Sequence, residues 1–207
     1  NTKDPLLSDK NLRKAATAAI GEIPGVERAI TSIPSSSWVF NSGLKDSLSN
    51  PVQAKEYLSR VQNYKNNQIT LTTTPQYALL AESIIQSWKK SGINGVVRVE
   101  SGSPQNFQSL LTSVPIPTDP DQYALWHSTQ IQTNLSKYAS LRADRDLEDA
   151  RKTTDQNLRK ERYQDLQRLL LDDAPATFLY FPKTTIIFRP KVESELNKVL
   201  PIQFNSD

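Results

Sequence analysis

The 207-residue chain holds a single histidine, His127, and no cysteine. A nucleophilic triad would have to be built on His127, and no Gly-x-Ser-x-Gly elbow accompanies it. One imidazole without thiols makes a poor transition-metal site. The six glycines form no phosphate-cradling pattern. Asp119 and Asp121 could serve as paired carboxylates. They flank Pro120 at the start of a helical pattern, however, where the positive end of a helix dipole stabilises anions. Asp172 and Asp173 end a helical pattern instead, so they need an offset from nearby Lys or Arg. His127 follows Trp126, and a hydrogen-bonded role in a pocket or scaffold suits it better than catalysis. The expectation is a protein that is not an enzyme and uses no cofactor or metal.

Binding chemistry is better represented. Trp38, Phe107, Tyr123, Trp126 and Tyr138 fall in or beside loops, where recognition residues concentrate. His127, Gln130 and Asn134 add polar groups to the same stretch. These eight residues are the candidate ligand contacts. The competing reading is that each aromatic packs under its own loop.

The elements that must position them follow from periodicity. A first helix starts near Ser8, buries Leu12, Ala15, Ala16, Ala19 and Ile20, and stops at Gly21. Val26–Ile30 reads as a short second helix. Asn50-Pro51 opens another, with Ala54, Tyr57, Leu58 and Val61 inward. Ile69–Thr74 and Val96–Val99 read as strands. Between them Pro75 opens a helix burying Leu79, Leu80, Ile84, Ile85 and Trp88, capped by Gly92. This βαβ unit predicts parallel strands. Ser103-Pro104 starts a helix with Phe107, Leu110 and Leu111 on one side. Asp119 starts a further one, and Asp144–Lys152 and Gln156–Leu171 are charged helices. Ala176–Phe181 and Thr184–Phe188 read as two strands joined at Pro182-Lys183.

Composition limits the partners. With 37% hydrophobic and 23% charged residues the chain can bury a core. A net charge of +3 with interleaved signs is no nucleic-acid signature. No apolar run approaches the ~18 residues of a membrane span. The chain contains no methionine, so it reads as the interior of a longer sequence. Any leader or lipid anchor is expected to lie outside it.

Taken in order, these landmarks resemble the extracellular solute-binding proteins of family 5, the peptide- and nickel-type receptors of ABC importers. Tyr138, Asp144, Leu147, Glu148, Ala150-Arg151, Asp155, Arg159, Tyr163, Gln167, Leu169-Leu170, Asp173-Ala174-Pro175 and Leu179-Tyr180 keep that family's spacing. So do Asn1, Pro5, Leu6, Asp9, Arg13, Ala15 and Ala18-Ala19-Ile20, then Pro34–Trp38 and Asn50-Pro51 through Leu58. The resemblance implies a periplasmic-binding-protein-like α/β lobe with a mixed sheet flanked by helices. Residues 1–207 would form this single lobe, the ligand-facing one of two that close around a ligand. It implies a peptide or peptide-like solute, an ABC permease as partner of the full-length protein, and a place outside the cytoplasm at the cell envelope. The tail Pro201–Asp207 would lead back toward the other lobe.

Two departures stand out. Peptide binders of the family carry a strand and a Gly-Trp-x-x-Asp segment before the Asp-Pro helix, whose Asp meets the peptide amino group. Only Ser113–Pro117 separates Leu111 from Thr118, so the strand reads as missing, and Ile116 stands in place of that Asp. Ala143 and Asp146 replace larger apolar residues, and Asp146 is expected to be exposed, or else a polar replacement suited to an isolated lobe. The alternatives are a docking or scaffold module without a small ligand, and an enzyme built on His127 and Asp121.

Overall fold

The structure, a computed structural model, describes residues 1–46, 49–62, 64, 67–182, 189, 192 and 195. The expected strand Thr184–Phe188, the Lys183 joint and the tail Pro201–Asp207 lie outside the described residues.

Helix α1 spans Lys10–Ala18. Asp9, not Ser8, is its cap, and the carboxylate accepts from the backbone N–H of Asn11 at 2.7 Å and of Leu12 at 3.3 Å. A carboxylate also meets the helix dipole, which a hydroxyl does less well. Helix α2, Pro51–Ser59, begins as expected: Asn50 accepts from the N–H of Gln53, and Pro51 occupies the first turn. Strand β1 spans Ile69–Thr73, a 3-10 turn spans Pro75–Tyr77, and α3 spans Ala78–Lys90. Because the 3-10 turn rotates the helix start, Leu79 points outward and is 89% exposed, while Ala81 takes the inner position. Gly92 has φ +85, the left-handed geometry that ends α3.

Strand β2, Gly95–Val99, runs parallel to β1 with Ile69 opposite Gly95. The segment expected to be a helix from Ser103 instead forms strand β3, Ser109–Leu111, parallel to β1 on its other side. The order is β2-β1-β3. Pairing with β1 outweighed the weak helical signal of a segment only three apolar residues wide. Among the described residues the sheet is wholly parallel. Outside the sheet an isolated antiparallel bridge joins Arg28 and Tyr180, where a Val26–Ile30 helix and an Ala176–Phe181 strand were expected.

Helix α4 is one turn, Tyr123–Trp126, shorter and later than the Asp119 start implied. Helices α5, Leu141–Lys152, and α6, Gln156–Asp173, pack against each other. Two apolar cores result. One joins α1, α2, α3 and the sheet, with the indole N–H of Trp88 donating to the carbonyl of Ala16 at 2.8 Å. The other joins α5 and α6 with Ile33, Val39, Trp126 and Tyr138.

Charge fastens the two. Lys10 reaches Asp172 at 2.7 Å and Asp173 at 2.8 Å, and Lys14 reaches Asp172 at 2.7 Å. These cations hold the Asp172 carboxyl below its usual range, the offset its place at a helix end required. Arg13 donates to the carbonyls of Asp173 and Ala174, satisfying the orphan acceptors at the end of α6.

Candidate functional site

The stretch from Asp119 to Tyr138 is short of regular structure, so side chains must hold it. Asp119 accepts from the N–H of Asp121, and Asp121 from that of Tyr123, at 2.9 and 3.0 Å. Arg159 donates to both oxygens of Asp119, at 2.9 and 3.1 Å, and Arg151 to the remaining oxygen of Asp121 at 2.7 Å. The pair is a local cap and an anchor to α5 and α6, not an acid–base couple. Gln122, which is fully buried, accepts from the Ser32 hydroxyl at 2.5 Å and the Trp126 indole at 2.9 Å, and donates to the Ser32 carbonyl.

The candidate contacts divide clearly. His127 is buried and stacks on Tyr123 with centroids 4.1 Å apart. Its Nδ1 lies 2.8 Å from the Thr129 hydroxyl and its Nε2 3.4 Å from Glu148. Lys152, followed by His127, holds the Glu148 carboxyl below its usual range. Asn134 is buried; its amide donates to the carbonyls of Trp126, His127 and Tyr138, and its carbonyl accepts from the N–H of Tyr138. Tyr138 donates to Asp173 at 2.6 Å, and burial together with that carboxylate pushes its phenol well up. Tyr123, Trp126, His127, Asn134 and Tyr138 thus form one interlocked body. Trp38 stands apart, 41% exposed, with the Arg159 guanidinium 5.8 Å from its ring. Gln130 is half-buried, and its side-chain amide donates to the neighbouring Thr129 hydroxyl.

Beside this body lies a cavity of about 350 Å³, bounded by β3, α1, α3 and the segment 174–182. Ile69, Leu71, Leu80, Ile84 and Trp88 line it from the sheet and α3, and Leu110, Val114 and Ile116 from β3 and the chain after it. Leu125 and Trp126 close it from α4. Phe107 and Trp126 are the two expected contacts that reach it. Leu110 and Leu111 escaped sequence reasoning because they read as one face of a helix. The prolines at 115 and 117, which end a strand there, were the available signal.

Asp146 departs from expectation. It is buried, its Oδ2 has no hydrogen-bond partner, and Arg162 approaches at 3.7 Å. Burial, then the nearby Asp165, raises its pKa. Of the two expectations, exposure fails because the α5 face carrying Asp146 is the one α6 covers.

No family model matches the chain. It is similar to the oligopeptide-binding protein AppA of Bacillus subtilis, 25% identical over 93% of this chain and 42% of that protein. The solved structure of AppA, in complex with a nonapeptide, superposes with a TM-score of 0.75 over 88% of this chain and 43% of that one, at 24% identity. The di/tripeptide-binding protein 1 of Pseudomonas aeruginosa is 27% identical over 72% of this chain and 31% of its own length. The DppA protein of Helicobacter pylori, solved with the peptide STSA, gives a TM-score of 0.77 at 23% identity over 86% of this chain and 40% of that one. The fold is therefore a periplasmic-binding-protein-like α/β lobe. The homologues are family 5 peptide-binding proteins, which are binding proteins and not enzymes. The chain spans less than half the length of the curated relatives it matches. No described helix is long and apolar enough to cross a membrane.

Proposed function

From this homology to part of the family 5 solute-binding proteins, we propose that residues 1–207 are one lobe of a two-lobed receptor for an ABC importer, and that its ligand is a peptide. The observation that carries the reading is the match to peptide-binding proteins over most of the chain, in both sequence and fold. The cavity supports it. Its volume of about 350 Å³ falls within the range of ~300–1,000 Å³ usual for ligand sites. A flat face would have favoured a docking module instead.

In this reading Phe107 and Trp126 meet the ligand directly. Tyr123, His127, Asn134 and Tyr138 fix the position of Trp126. Trp38 and Gln130, outside the cavity lining, contact ligand where a second lobe closes over it. The reaction is capture and release without bond chemistry, coupled to lobe closure and delivery to a permease. The full-length receptor sits outside the cytoplasm, lipid-anchored or periplasmic.

One lobe supplies only part of the contact surface, so affinity is expected to be low, with Kd near ~1 mM. Proton–nitrogen NMR titration with a nonapeptide should show shifts confined to residues around Phe107 and Trp126. Calorimetry returning a sub-micromolar constant for the lobe alone would refute its being half a site. Shifts confined to another face would refute the assignment of the cavity.

A further inference from the structure

The chemistry of the cavity lining narrows the ligand. Among the described lining residues Arg13 is the one charged side chain. Its guanidinium is already committed to the carbonyls of Leu7, Ser8, Asp173 and Ala174 at 2.7–3.3 Å. No carboxylate reaches the lining.

Several of the hydroxyls there are occupied too. Thr17 bonds Thr177 at 2.7 Å, Ser32 bonds Gln122 at 2.5 Å, and Ser109 donates to the carbonyl of Thr70 at 2.8 Å. Thr133 donates to the carbonyl of Ala124 and Ser136 to Asn134. A ligand entering this space meets aliphatic and aromatic carbon and few free polar side-chain groups. A charged group placed there would lose its water without gaining a partner, which costs several kcal/mol.

We propose that the cavity takes the uncharged, apolar portion of a peptide and rejects a peptide terminus or a charged side chain. The proposal rests on the peptide-receptor reading and deepens it: the lobe selects internal apolar residues or blocked ends, and it does not hold a free ammonium or carboxylate. Bulky aliphatic and aromatic side chains fit the volume and the lining.

The test uses two small probes on the chain as it stands. One is the doubly capped dipeptide N-acetyl-leucyl-phenylalanine amide. The other is free leucyl-phenylalanine, a zwitterion. Trp88 and Trp126 line the cavity, so tryptophan fluorescence reports occupancy, with NMR shifts as the second readout. The capped probe is expected to bind at least about tenfold more tightly. Leu80→Trp, which fills the space from α3, should abolish that binding, and Leu110→Trp, which fills it from β3, serves if the first variant melts early. Equal binding of both probes, or tighter binding of the zwitterion, overturns the apolar selectivity and leaves the peptide reading intact. Binding of the capped probe that survives both tryptophan variants places the ligand elsewhere and overturns the assignment. Binding of neither probe, where the nonapeptide does shift the resonances around Phe107 and Trp126, overturns the selectivity; no shift with the nonapeptide either removes the peptide reading as well.

Discussion

The guanidinium of Arg151 lies 4.0 Å from the centroid of the Tyr123 ring while its Nε donates to Asp121 at 2.7 Å. His127 stacks on the same ring, with centroids 4.1 Å apart. A helix α5 side chain thus clamps the loop that carries Trp126. The ion pair is half-exposed and contributes little. The cation–π contact adds about 0.5–1 kcal/mol. Arg151→Ala should lower the melting temperature by only a few degrees, about what such a loss gives in a domain of this size. Yet it should broaden the Trp126 and Asn134 NMR resonances. Arg151→Lys should restore only part of this, because an ammonium cannot stack as a planar group does. Unchanged resonances in Arg151→Ala would show that Asn134 and Gln122 hold the loop without it.

Asp146 gives a pH-dependent prediction. Its pKa is raised in the folded state, chiefly by burial, so the charged form is the destabilised one. Above the ordinary carboxylate value the folded protein carries this penalty. As pH falls through the raised value, protonation removes it. Asp146→Asn should therefore melt higher than the parent at pH 7, and the difference should shrink toward pH ~4. A difference that grew on acidification would mean that Arg162, at 3.7 Å, holds Asp146 as a useful carboxylate.

Gln167 ties α6 to the 31–41 segment. Its amide donates to the carbonyls of Val39 and Tyr163, both at 2.9 Å, and its Oε1 accepts from the N–H of Asn41 at 3.1 Å. The side chain is fully buried. Gln167→Ala leaves the Val39 carbonyl and the Asn41 N–H without this partner, at about 1–3 kcal/mol for each one that water cannot reach. Urea denaturation should show a loss of at least ~2 kcal/mol. Gln167→Glu should recover little, since the acid replaces a donor with an acceptor facing a carbonyl.

Gly95 is required by a close approach, not by its φ. A Cβ added there would meet the Ile85 methyl at 2.6 Å and the Trp88 ring at 2.9 Å. Gly95→Ala should destabilise by about 1–3 kcal/mol through overpacking. The double variant Gly95→Ala, Ile85→Val should regain part of it. Additivity of the two losses would show that the strand moves to accommodate the methyl and that the side chain does not.

The parts of this protein written locally were legible in order. Asn50-Pro51 starts a helix by capping and by fixed φ, and Asp144–Lys152 and Gln156–Leu171 declare themselves through charge and period. The parallel βαβ unit follows from strand, helix and strand in succession. The family landmarks belong to these same local signals. What depended on distant partners was not legible. Ser109–Leu111 is a strand because β1 offers an edge to pair with, and nothing within the segment says so. Arg28 and Tyr180 meet by a bridge across 152 positions, counted from 28 to 180. Asp146 is buried because α6 packs over it. The loop aromatics showed the same limit. Composition placed Trp126, His127, Asn134 and Tyr138 in one stretch, and only their packing against α5, α6 and Ser32 assigned the polar groups to holding the loop and left Trp126, with Phe107, to face the cavity. Helix caps and periods act within a few residues. Burial, pairing and the shape of a cavity are set by side chains that meet only after the chain has folded.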